Sequence, residues 1–167
     1  MLNIGADSLD LDIKKPQLEI RNPTDRRLFA LYRFFKEGGS VQDAHEMSQI
    51  DPWFLSHLSK MAAFEEKLTC QRGSAPLLRE AKKIGFSDRA IGKLVNRSEE
   101  NVRAFRKKHR IYPVVKQIDT LAGEFDAKTN YLYMTYWGQE SDILPSKKKP
   151  AIVLGSGPYC IGSSVEF

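Results

Sequence analysis

From residue 22 onward the apolar positions recur at three- and four-residue spacing, interrupted at short intervals by capping residues, prolines and glycines. Leu28, Leu31, Tyr32 and Phe35 form one such stripe. Asn22-Pro23-Thr24-Asp25 precedes it with a capping side chain, a first-turn proline and an acid near the positive end of the helix dipole. Gly38-Gly39 closes it, since glycine takes the left-handed terminating conformation at little cost. Ser40 opens a short second helix, with Asp43 in a weakened capping box. Asp51-Pro52 begins a longer third, whose apolar positions are Phe54, Leu55, Leu58, Met61, Ala62 and Leu68. Ser74 and Pro76 start a fourth that ends at Gly85, and Ser87 and Ser98 cap two more. Six helices joined by loops this short predict an all-α domain over 22–113.

Outside that span the pattern changes. Residues 1–21 show no clear period and read as a tail or connector. Residues 114–137 are rich in Thr, Tyr and Phe and read as extended or irregular chain packed on something else, within an extended linker over 114–146. After the lysine run at 147–149, Ala151-Ile152-Val153-Leu154 flows into Gly155-Ser156-Gly157. That is the form of a buried parallel strand entering a glycine turn, and 147–167 reads as the start of a truncated α/β domain.

Composition narrows the class. The 167 residues are 41% hydrophobic and 28% charged, the balance of a globular chain, and no run approaches the ~20 apolar residues of a membrane span. The first residues carry three aspartates before any lysine, unlike a secretory or transit peptide. Cys70 and Cys160 make neither a disulfide framework nor a zinc site, so a reducing, cytoplasmic setting is expected. The net charge of +5 is uneven: twelve Lys/Arg against four Asp/Glu lie between Arg79 and Lys116. A basic block of this kind faces nucleic acid, an acidic partner or plain solvent.

Three motifs carry candidate chemistry. Residues 87–108 have the grammar of a helix-turn-helix, with Asn96 suited to a positive φ at the turn. Arg103, Arg106, Lys107 and Lys108 would then face phosphates or base edges, while the alternative is two short helices packed as an ordinary unit. The glycines at 155, 157 and 162 could bring backbone amides to a phosphate, but their spacing is not GxGxxG. Trp53-Phe54 and Tyr131, Tyr133, Tyr136 and Trp137 suit core or interface packing better than base stacking. His45, His57 and His109 lack ligand spacing, and Glu124, Asp126 and Glu140 have no partner that sequence can name. No catalytic, cofactor-binding or metal-binding residue is assigned.

Several of these stretches together resemble a known family. Pro23-Thr24-Asp25-Arg26-Arg27-Leu28-Phe29, Ile50-Asp51-Pro52-Trp53-Phe54-Leu55 and Gly85-Phe86-Ser87-Asp88 resemble the oligomerisation domain of the carbamoyl-phosphate synthetase large subunit. Ile118-Asp119-Thr120, Glu124-Phe125 and the stretch 131–136 resemble the segment that leads on to the second synthetase half. Ile152-Val153-Leu154-Gly155-Ser156-Gly157-Pro158, Ile161-Gly162 and Glu166-Phe167 are similar to the opening of that half, a pre-ATP-grasp domain. Val115 and Cys160 depart from the family's usual tyrosine and its usual arginine or histidine.

The resemblance implies a parent that makes carbamoyl phosphate from bicarbonate, glutamine or ammonia, and two MgATP. It implies a structural role for this segment, with no cofactor of its own and no turnover in isolation. Implied partners are the remainder of the large subunit, copies of itself and a glutamine amidotransferase, with neither a membrane nor specific nucleic acid. The parent pathway would be pyrimidine or arginine biosynthesis, in the cytoplasm or, for some parents, the mitochondrion.

Overall fold

The computed structural model describes residues 11–71, 73–126, 128, 131–143 and 151. Over these the chain is mostly helical. Its elements are α1 (Pro16–Arg21), α2 (Arg27–Lys36), α3 (Val41–Ser48), α4 (Pro52–Cys70), α5 (Ala75–Ile84), α6 (Asp88–Val95), α7 (Glu99–Lys108), β1 (Val114–Gln117) and β2 (Leu132–Thr135). The expected strand at Ala151–Leu154 lies outside the described residues but for Ala151.

Most helix starts are set by the residues that sequence singled out. Ser40, Ser87 and Ser98 accept hydrogen bonds from the amides of Asp43, Ala90 and Asn101, and Asp51 accepts from Trp53. Each bond satisfies one of the orphan amides at a helix start. Ser74 holds the extended cap conformation ahead of α5 without a side-chain bond. Gly85 ends α5 at φ 112°, and Asn96 ends α6 at φ 54°.

The first helical region differs from expectation. The segment 1–21, read as a tail or connector, carries α1 within its described part, and Ile13 and Ile20 are buried. Asn22 does not cap a helix that follows; it ends α1 instead, and α2 begins only at Arg27 with no side-chain cap. The Arg27 guanidinium donates from Nε to the Ile20 carbonyl at 2.8 Å and from Nη2 to the Arg21 carbonyl at 3.3 Å. A side chain of α2 thus serves carbonyls at the end of α1, which no local pattern announces. Nor is α2 a one-striped helix: Phe29, Ala30, Leu31, Tyr32, Phe34 and Phe35 are all buried. It runs through the interior of its core.

Two apolar clusters make up the interior. The first joins α1, α2 and α3 to the start of α4 through Ile20, Leu31, Tyr32 and Leu55. The second joins the end of α4 to α5, α6 and α7 through Phe64, Leu68, Leu78, Ile91 and Val102, with Tyr136 packed against it. The nineteen residues of α4, about 28 Å long, span both. Glu65 sits near the junction, accepting from the Tyr32 hydroxyl at 2.5 Å and from Lys36 Nζ at 2.8 Å.

Of the extended and irregular alternatives for the segment after Pro113, its described residues take the extended one in part. β1 and β2 pair antiparallel, with Val114 opposite Thr135 and Gln117 opposite Leu132. The two residues that follow β2 fasten this hairpin to the helices. Tyr136 packs on the second core, and Trp137 Nε1 donates to the Lys83 carbonyl at 2.9 Å.

Because α4 belongs to both cores, neither is expected to melt without the other. Leu55→Ala and Leu68→Ala, one in each core, should each cost about 2–5 kcal/mol. Each should displace one shared unfolding transition, followed by circular dichroism and calorimetry. Two transitions, with only one displaced by each variant, would show the cores to be independent.

Candidate functional site

The helix-turn-helix grammar at 87–108 corresponds to a real pair of helices, α6 and α7. Its turn is close-packed. The Arg97 amide donates to the Gly92 carbonyl at 2.8 Å, and a Cβ at Gly92 would run into the Arg97 carbonyl oxygen. Yet the second helix is poorly suited to reading DNA. Its first turn presents Glu99 and Glu100, where a recognition helix would meet base edges. Arg106, one of the expected contacts, is turned inward.

That inward arginine belongs to a charged cluster that sequence reading missed. Arg106 Nε and Nη2 donate to Asp88 Oδ2 at 3.1 and 2.9 Å, and Nη1 donates to the Ile111 carbonyl at 3.1 Å. Lys82 Nζ lies 3.0 Å from Asp88 Oδ1 and donates to the Phe86 carbonyl at 2.7 Å. Asp88 Oδ1 is therefore held by the lysine charge without an aligned hydrogen bond. The three charged side chains are about nine-tenths buried. The Tyr136 ring covers them, 5.2 Å from Lys82 Nζ and 6.0 Å from the Arg106 guanidinium carbon.

The electrostatics follow from this arrangement. Burial alone would raise the Asp88 carboxyl, but the Arg106 fork and the Lys82 ammonium outweigh it and hold it below its ordinary value. Burial raises the Tyr136 hydroxyl. Two cations share one carboxylate, and two backbone carbonyls with an aromatic face complete their surroundings. Such a group ties α5, α6, α7 and the hairpin together. Eighteen residues separate Asp88 from Arg106, so no spacing rule could have found the pair.

The other candidates stay apart. Trp53 and Phe54, expected in the core or at an interface, are not in the core: they face outward at 63% and 59% exposure and meet edge to face at 4.8 Å. They sit on the first turn of α4, off the side that carries Leu55 and Ala62 into the core. His45 Nδ1 lies 2.7 Å from the Ile50 carbonyl, His57 packs on Trp53, and His109 stacks on Phe105. Tyr131 and Tyr133 are exposed, as are Glu124, Asp126 and Glu140. Among the described residues no three His, Cys, Asp or Glu side chains gather as metal ligands. No helix there is long and apolar enough to cross a membrane. The glycine loop at 155–162 lies outside the described residues.

Comparison with known proteins supplies what this geometry lacks. Residues 1–110 match the model of the carbamoyl-phosphate synthetase large chain, oligomerisation domain. The chain belongs to that family. It is 41% identical over 163 residues to the carbamoyl phosphate synthase large chain of Thermotoga neapolitana, covering 98% of this chain and 15% of that protein. It is 46% identical over 170 residues to the multifunctional protein URA2 of Saccharomyces cerevisiae, covering 99% of this chain and 8% of that one. The carbamoyl phosphate synthase large chain of Methanothermobacter thermautotrophicus is 38% identical over 167 residues, 16% of its length. The chain thus spans less than a fifth of the relatives it matches. In a carbamoyl-phosphate synthetase oligomerisation domain, the α6–α7 unit is accounted for as internal packing, with Asp88 as its electrostatic centre.

Asp88 should therefore govern stability in a pH-dependent way. Asp88→Asn leaves two buried cations without their anion, and at neutral pH it should cost about 2–3 kcal/mol. The native carboxyl titrates below its unfolded value, so its stabilising effect is complete above the ordinary carboxylate range. That effect disappears as pH falls through the folded value. Denaturant unfolding of both forms should show a gap that narrows in acid. A gap unchanged from neutral pH into strong acid would mean that the charge does not carry the effect.

Proposed function

We propose that this chain acts as the structural connector of a carbamoyl-phosphate synthetase, holding the two synthetase halves in register and contributing to self-association. The observation that carries this reading is the match of residues 1–110 to the oligomerisation domain, in a chain that aligns almost throughout with a relative more than six times its length. The physical character of the segment agrees with it. Its helices close two apolar cores around α4, and its best-buried charges are committed to one another rather than to an open cleft.

The chemistry of the whole enzyme then lies in other parts of the polypeptide. There, two ATP-grasp halves would perform the phosphorylations with MgATP, and an amidotransferase would deliver nitrogen from glutamine. No catalytic or nucleotide-contacting residue is assigned to this segment, and no cofactor is needed for its own role. The parent reaction serves pyrimidine or arginine synthesis.

Two measurements test the reading. The purified chain, given bicarbonate, ammonia and MgATP, should release no ADP above the blank, and sustained turnover would sink the proposal. In the Thermotoga neapolitana large chain, replacing the matching stretch with this chain should preserve carbamoyl phosphate synthesis, whereas deleting the stretch should abolish it. A deletion that left synthesis intact would remove the connector role.

A further inference from the structure

The two long edges of the β1–β2 hairpin are treated differently. In the ladder, Ile118 donates to the Tyr131 carbonyl, so residues 114, 116 and 118 point inward along β1. The outward amides of β1 are both satisfied within the chain: Val115 donates to Ser141 Oγ at 3.1 Å and Gln117 to Asp142 Oδ2 at 2.9 Å. The Asp142 amide returns a bond to the Val115 carbonyl at 2.9 Å, and Lys116 pairs with the Asp142 carboxylate. That edge is sealed.

The edge of β2 is not. By the same register the backbone groups of Leu132 and Met134 point outward, and among the described residues nothing pairs with them. Side chains make the contrast sharper. Leu132 and Met134 share a face with their partners Gln117 and Val115, and Met134 is 69% exposed. On the opposite face Gly138 passes so near Val114 that a Cβ there would clash with it. An open edge beside an exposed Leu132–Met134 pair is what proteins normally blunt with charges, prolines or a covering segment. Among the described residues one edge is blunted with side chains and the other is left open. The hairpin itself cannot swing away to hide it, because Tyr136 and Trp137 hold it on α5 and α7.

We infer that the outer edge of β2 is a docking strand for an extended, apolar segment from the remainder of the same synthetase polypeptide, which adds a third strand beside Leu132 and Met134. The inference rests on the connector reading and says where the connector grips. The occupant is assigned in cis because more than four-fifths of each full-length large-chain relative lies outside the matched stretch. A four-residue edge offers few hydrogen bonds, and a weak strand addition becomes effective when the incoming segment is tethered.

Hydrogen exchange tests it in two settings: the isolated 167-residue chain, and the same chain grafted into the Thermotoga neapolitana large chain. In isolation the Leu132 and Met134 amides should exchange at least ~10-fold faster than Tyr133 and Thr135, which pair with β1. In the graft those two amides should slow by at least ~100-fold. Met134→Pro removes an outward amide while sparing the ladder. It should leave the melting of the isolated chain unchanged and restore fast exchange at Leu132 in the graft. Fast exchange at both positions in a folded graft overturns the inference. So does slow exchange already present in the isolated chain, whether as a dimer in sedimentation, which assigns the edge to a second copy, or as a monomer, which assigns it to this chain's own residues. If the graft does not fold, the aligned amides are read in the unmodified Thermotoga protein, and unprotected amides there overturn it equally. A folded, active graft with fast amides counts against the docking strand alone, whereas a folded, inactive graft counts against the connector.

Discussion

Everything described in this chain depends on one helix taking part in two cores. The N-terminal half of α4 gives Leu55 and Ala62 to the cluster built with α1–α3, and its C-terminal half gives Phe64 and Leu68 to the cluster built with α5–α7. A rigid rod about 28 Å long fixes how far apart those clusters stand. Glu65, buried close to the changeover, is bonded to Tyr32 and Lys36 of α2. Removing either donor would leave a carboxylate in a site with little water, so α2 and α4 are specified relative to each other by charge as well as by packing.

The second cluster is specified by charge in a different way. Lys82, Asp88 and Arg106 come from three helices, and Tyr136 covers them from the segment beyond the last helix. A carboxylate shared by two cations adds little net stability over an apolar replacement, because desolvation offsets much of the attraction. Its value lies in geometry. The Arg106 fork bonds Asp88 and the Ile111 carbonyl together, which sets the direction in which the chain leaves α7. The hairpin is therefore aimed by the same charges that orient α6 against α7.

What could be read from sequence was the part of the fold that is written locally. Caps at Ser40, Asp51, Ser87 and Ser98, the glycine stop at 85 and the positive φ at Asn96 all depend on a side chain and its near neighbours. α1 escaped because its six residues are too few for a period, and because its C-terminal carbonyls are served by Arg27 from the next helix. For Phe54 the sequence left core and interface packing open, because spacing alone cannot separate a core-facing position from one turned aside on the first turn, where it is 59% exposed. The Asp88–Arg106 pair, the register of the hairpin and the Trp137–Lys83 bond that fastens it join residues at least 15 and up to 54 positions apart, separations at which periodicity carries no information. Family membership was legible from several short stretches in register, each of them unspecific alone.

The exposed apolar groups are unevenly distributed over the described residues. Its helices enclose two apolar cores, while Leu18 and Tyr112 apart, the large exposed apolar side chains among the described residues gather at two places: Trp53 and Phe54 on the first turn of α4, and residues between Ile118 and Trp137. These sites differ in what they can bind. The α4 site offers rings and no free backbone, so it suits a partner surface with a matching apolar face. The hairpin offers outward backbone groups along β2, which favour a partner that is itself extended. Because α4 carries the first site and, through the second core, supports the helices on which the hairpin is fastened, the two surfaces are joined by packed structure throughout. The proposed connector role asks for a packed link of this kind between its two surfaces.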